Sequence, residues 1–209
     1  VDFLNWLKQE DPTKAERAAK AQALVKIGYL LRLSAKLKLK YAVDWINEFL
    51  ENSDEKLVVF AVHTKCIDAL QRRCMYKSVV IDGSVTGKDR NAAVNLFRND
   101  NSVRLLIGNI RAAGVGVDGL QIASNAAFVE LPWQPGAALQ AEDRIHRIGT
   151  RSKAWIWYLV AHNTVESRLC NILQRKQNML SSVLDGGKVA GDLDIFDKLM
   201  KEIGTEFDS

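Results

Sequence analysis

The chain has 209 residues, of which 47% are apolar and 26% charged, with a formal net charge of +4. That is room for one substantial α/β domain plus an appendage of roughly 50 residues. Apolar stretches fall short of the ~20 residues that a membrane span needs, and Cys66, Cys74 and Cys170 form no CxxC pair, which excludes a disulfide framework or zinc knuckle. The chain opens at Val1 with no signal-peptide pattern, as expected for a piece cut from a longer protein of a reducing compartment.

Residues 1–50 read as helices. Asp11-Pro12-Thr13 marks a break, with Thr13 as N-cap and Glu16 completing a capping box. The cluster of Arg32, Lys36, Lys38 and Lys40 fits nucleic-acid contact and fits a solvated helix face equally well. Tyr41, Val43, Trp45, Ile46, Phe49 and Leu50 give an apolar stripe.

From Lys56 the texture becomes strand, loop, helix, repeated. Continuous apolar, β-branched runs at 57–62, 79–81, 103–107, 126–131 and 154–160 predict strands buried on both faces. Helices are expected near 65–75, 88–98, 136–147 and 164–184. The alternation predicts a parallel sheet with helices on both faces, whose ligands gather at the carboxyl ends of the strands. Asp185–Asp192 reads as a joint, and 193–203 as a last short helix.

Two motifs invite a phosphate-loop reading. In Gly83-Ser84-Val85-Thr86-Gly87-Lys88-Asp89 only three residues separate the glycines, and Asp89 follows the lysine, so a strand-to-helix turn aided by Gly87 is expected instead. Gly114-Val115-Gly116-Val117-Asp118-Gly119 matches GxGxxG, but the next strand leaves no room for the required helix, and Glu130 comes too early for a ribose-binding acid. Its glycines still allow backbone N–H groups to approach a ligand closely.

The most informative run is Gln140-Ala141-Glu142-Asp143-Arg144-Ile145-His146-Arg147-Ile148-Gly149. In a helix Gln140, Arg144 and Arg147 stand at i, i+4 and i+7 on one face. Guanidinium forks there match the oxygens of a polyphosphate. The bland reading is a surface salt-bridge helix using Glu142 and Asp143.

The run QAEDRIHRIG resembles motif VI of superfamily-two helicases in its Swi/Snf form. LVVFAVHT (57–64) looks like motif IV, and IDGSVTGKDRNAAVNLF (81–97) like the segment after it. RAAGVGVDGL (111–120) is similar to motif V. AFVELPWQPG (127–136) resembles the family's strand ending in a Trp-x-Pro turn, and TVESRLCNILQRKQNML (164–180) its brace helix. The Glu-Leu-x-Trp-x-Pro wording leans toward the fork-remodelling, strand-annealing branch.

The resemblance implies a RecA-like three-layer α/β lobe over 51–185, a helical inter-lobe segment over 1–50, and a tail with a short helix over 186–209. It implies that Arg144 and Arg147 are arginine fingers reaching the γ-phosphate, that Gln140 orients them, and that Asp118, after Gly116, accepts a ribose hydroxyl. Thr64, Lys65, Ser84 and Arg111 would face the DNA backbone, as short hydroxyls and cations suit. ATP with Mg2+ would be bound mainly by a first RecA-like lobe of the same polypeptide, since this chain has no Walker A sequence and no Asp-Glu pair ending a strand. Duplex DNA would be the partner and no membrane would be; the compartment would be nuclear in a eukaryote, cytoplasmic in a prokaryote or virus. Trp133 is expected to pack its turn, and His63, His146 and His162 to bond locally without binding metal. The chain departs from the family at Ala113 and Thr150 and by an extra residue at Asp118-Gly119, which touches motif V and leaves the arginine pair intact. A binding module without ATPase activity and a strand-separating helicase remain the alternative functions.

Overall fold

The computed structural model describes residues 11–114, 119–132, 135–145 and 154–184. Expectations for the joint at 185–192, the helix at 193–203, Trp133, His146 and Thr150 therefore lie outside the described residues.

Helix α1 runs unbroken over Pro12–Glu51. Its N-cap is Asp11, whose carboxylate accepts from Lys14 N at 3.0 Å, and not Thr13 as expected. The reason is Pro12: with no N–H to satisfy and φ already near the helical value, it belongs at N1, which moves the cap one residue before it. Ala35, Leu39, Ala42, Val43, Ile46 and Leu50 are buried at helical spacing. Tyr41, expected on that stripe, is 73% exposed, because it lies a quarter turn from Ala42 and away from the sheet.

Five strands follow: β1 Leu57–Ala61, β2 Ser78–Ile81, β3 Leu105–Asn109, β4 Asn125–Phe128 and β5 Trp155–Tyr158. They form one parallel sheet in the order β2-β3-β1-β4-β5, with Leu57 opposite both Leu105 and Asn125. Every residue of β1 is buried, as the central place of that strand requires. β3 ends two residues later than expected. β4 ends three residues earlier, because after Val129 N bonds Phe60 O at 2.9 Å the chain leaves the ladder.

Alternate residues feed two cores. Val58, Phe60, Leu106, Ala126 and Phe128 join one cluster, while Leu57, Val59, Leu105, Ile107 and Ala127 join the other. Helix α2, Thr64–Arg73, after β1, contributes Ile67 and Leu70 to the second cluster. Helices α3 (Gly87–Asn99), α4 (Ile110–Gly114) and α5 (Pro135–Ile145) contribute to the first, as does α6 (Val165–Leu184). The chain thus leaves β1 toward one face and its two neighbours, β3 and β4, toward the other. A crevice opens at the carboxyl end of β1, the place where open α/β sheets bind ligands.

The turn before α3 is made by Thr86, whose Oγ1 caps Asp89 N at 3.4 Å and donates to Asp89 Oδ2 at 2.6 Å. Gly87 does not shape it: its φ is not left-handed, and a Cβ there would meet nothing within 4 Å.

Candidate functional site

The crevice is organised by Glu130, a buried acid just past β4. Its Oε2 accepts from Val62 N and His63 N at 2.8 Å each, and its Oε1 lies 2.7 Å from His63 Nδ1. Burial opposes the charge, but the His63 side chain and the two backbone donors outweigh it and hold the carboxyl below its ordinary value. Asn109, at the end of β3, donates from Nδ2 to Val62 O at 2.7 Å while its Oδ1 accepts from Arg111 N at 3.0 Å. Three strand ends are thereby tied together around the β1–α2 turn.

This turn presents Thr64 and Lys65, both exposed on the first turn of α2. Arg111 is exposed on α4, directly after β3. Ser84 is exposed after β2, but its hydroxyl donates to Asp82 Oδ1 at 2.6 Å and its N–H to the same oxygen at 2.9 Å. Those bonds from Ser84 hold the Asp82 carboxyl below its ordinary range, so an anionic group stands beside Ser84. All four residues expected to face DNA thus follow the carboxyl ends of three parallel strands.

Helix α5 buries Ala138, Ala141 and Ile145 and leaves Gln140 exposed. The backbone of Arg144 lies in the same helix, four residues on; its side chain, with all of Gly116, Asp118 and Arg147, lies outside the described residues. Glu142, on α5, accepts a hydrogen bond from Tyr158 Oη of β5 and so anchors the helix to the sheet. Tyr158 stacks on Phe128 with centroids 5.0 Å apart; burial, then Glu142, pushes its pKa up.

Of the basic cluster at 32–40, Arg32, Lys36 and Lys40 are exposed, whereas Lys38 is not a surface cation. Its Nζ donates to Glu166 Oε1 and to Leu159 O, and the side chains of Lys38 and Glu166 are 9% and 2% exposed. Burial lowers the Lys38 pKa and Glu166 partly offsets that. Glu166 Oε2 accepts from Ala161 N at 3.1 Å, so one clasp joins α1, the end of β5 and the brace helix α6. Sequence reading assigned neither acid a structural part. The available signal was a lone carboxylate inside an apolar run, as in Phe128-Val129-Glu130-Leu131.

Cys66 and Cys170 are buried and free, and Cys74 is free and half-buried. Burial, then Glu130, pushes the Cys66 thiol up to about 12, which leaves it unreactive at neutral pH. Among the described residues no group of three or more His, Cys, Asp or Glu could hold a metal ion, and no helix is long and apolar enough to cross a membrane.

The family model of the helicase conserved C-terminal domain matches residues 38–149. Over 150 residues the chain is 39% identical to the DNA annealing helicase and endonuclease ZRANB3 of Homo sapiens, covering 69% of this chain and 14% of that protein. It is 33% identical over 178 residues to the SWI/SNF-related matrix-associated actin-dependent regulator of chromatin subfamily A-like protein 1 of Bos taurus, covering 84% of this chain and 19% of that protein. The chain therefore spans less than a fifth of these relatives. The crystal structure of the C-terminal part of the Fun30 ATPase domain aligns with a TM-score of 0.62 at 21% identity, over 81% of this chain and 53% of that one, which shows a shared fold. The sheet order, the family match and these relatives agree: this chain is a RecA-like α/β lobe belonging to the helicase conserved C-terminal domain family, in its Swi/Snf form.

Proposed function

We propose that this chain is the second motor lobe of an ATP-dependent translocase on double-stranded DNA. The observation that carries the reading is the placement of exposed Thr64, Lys65 and Arg111 just past the carboxyl ends of adjacent strands β1 and β3, on a sheet whose α5 turns Gln140 outward. Cations and short hydroxyls on one rim suit the phosphate backbone, which positions a duplex without reading its sequence.

In this reading Arg144 and Arg147 reach across to the γ-phosphate of an ATP held with Mg2+ mainly by the first lobe, and Gln140 orients them. Their guanidinium groups stabilise charge on the transferring phosphoryl. Gly116 lets the backbone approach the nucleotide and Asp118 accepts a ribose hydroxyl. Ser84 joins the DNA rim only as an acceptor, because its proton is given to Asp82. Closing and reopening the two lobes in each cycle moves one lobe along the duplex. This lobe by itself hydrolyses ATP negligibly, since the nucleotide and its Mg2+ are held mainly by the first lobe.

The test restores the first lobe and introduces Arg147→Ala. DNA-stimulated ATPase is expected to fall by ~10³-fold or more while duplex binding is retained. Unchanged turnover refutes the finger assignment.

A further inference from the structure

We infer that the groove between α1 and the carboxyl end of β1 is an additional seat for the phosphate backbone of duplex DNA, with Arg32 and Lys36 as the side chains that hold it. The inference rests on the reading that Thr64 and Lys65 face that backbone, and extends the interface onto a helix that carries none of the motifs.

The groove has a volume of about 700 Å³ and is lined by Arg32, Lys36, Val62, His63, Thr64 and Lys65, among others. Arg32 and Lys36 stand one turn apart on α1, roughly 6 Å along its axis by the helical rise. Both are exposed, as are Thr64 and Lys65 opposite them. No carboxylate among the described residues pairs with Arg32, Lys36 or Lys65.

The acid on the groove wall, Glu130, is buried and has both oxygens engaged by Val62 N, His63 N and His63 Nδ1. It makes no ion pair with Arg32, Lys36 or Lys65. Lys38 is removed from the patch by Glu166, and of the exposed Arg32, Lys36 and Lys40 the first two line the groove. Three cations around one concavity, none paired with a carboxylate among the described residues, repel each other and are relieved by an anion. Charges on successive helical turns track a chain of phosphates better than they close over one small ion. The start of α2 adds its own partial positive charge on the same side, since the His63 side chain at its N-cap makes no capping bond to the first-turn N–H groups.

The experiment uses the full-length protein and a blunt duplex of mixed sequence. Binding is followed by fluorescence anisotropy over a series of KCl concentrations. Replacing both cations (Arg32→Ala with Lys36→Ala) is expected to reduce the slope of log K against log salt by roughly 1.8, at ~0.9 for each phosphate no longer neutralised. In the ATPase assay the KM for duplex rises, while turnover at saturating duplex is held. The charge-preserving pair, Arg32→Lys with Lys36→Arg, keeps the parental slope; this separates charge from any damage to α1. Retention of the parental slope in the alanine pair overturns the inference. A parent protein that binds no duplex at all instead overturns the translocase reading, and this one with it.

Discussion

Replacing Glu166 by alanine tests the clasp that joins α1 to the brace helix. In the folded protein Lys38 Nζ has two acceptors, Glu166 Oε1 and Leu159 O, and Glu166 Oε2 takes the Ala161 N–H. The substitution leaves an ammonium 9% exposed with one carbonyl as partner and orphans a backbone donor. Removing one member of a buried ion pair costs about 3–5 kcal/mol. For a domain of this size each kcal/mol is worth ~2–4 °C in Tm, so a drop of roughly 6–20 °C is expected. Differential scanning calorimetry at pH 7 measures it. Lys38→Met combined with Glu166→Leu leaves no charge in the clasp and is expected to lie closer to the parent than Glu166→Ala alone. Lys38→Met, Glu166→Leu and the double form a cycle whose coupling reports the pair. A loss below ~1 kcal/mol for Glu166→Ala, the value of a solvated surface pair, refutes the buried clasp.

The Glu130 knot gives the protein a definite acid sensitivity. The folded carboxyl titrates below its ordinary value of 4.5, so its contribution is complete above pH 4.5 and is lost as pH falls through the folded value. Urea midpoints measured between pH 6 and pH 3 are expected to fall less steeply in Glu130→Gln than in the parent; parallel curves would rule the linkage out. Gly119 stands at φ +110°, and a Cβ there would meet Val94 Cγ1 at 3.0 Å. Gly119→Ala therefore combines left-handed strain with a close approach and is expected to cost about 1–2 kcal/mol in urea denaturation, against a negligible effect for Gly83→Ala, whose Cβ meets nothing.

Much of this lobe is legible along the chain because its signals are local. Leu57-Val58-Val59-Phe60-Ala61 is apolar without alternation, and only a strand covered on both faces can use such a run. The helix after each strand follows from the same period argument. Element ends are less legible: Asp11 displaced Thr13 as the cap of α1 through the geometry of one proline, and β4 stopped at Phe128 because the chain leaves the ladder after the bond from Val129 N to Phe60 O. Tyr41 shows the limit of a stripe read by eye, since a rotation of one residue carries a side chain from core to water.

Fold class, parallel αβ alternation and family are all written along the chain, since runs of apolar residues and contiguous motifs are properties of neighbours in it. Which charges stay exposed and which are spent in buried pairs is set by folding. Lys38 meets Glu166 across 128 positions and Glu130 meets the His63 turn across 67, pairings that no local pattern encodes. A carboxylate's role depends on the donors the fold brings within about 3 Å of it, and strand order, which sets those neighbours, is written in packing between distant segments.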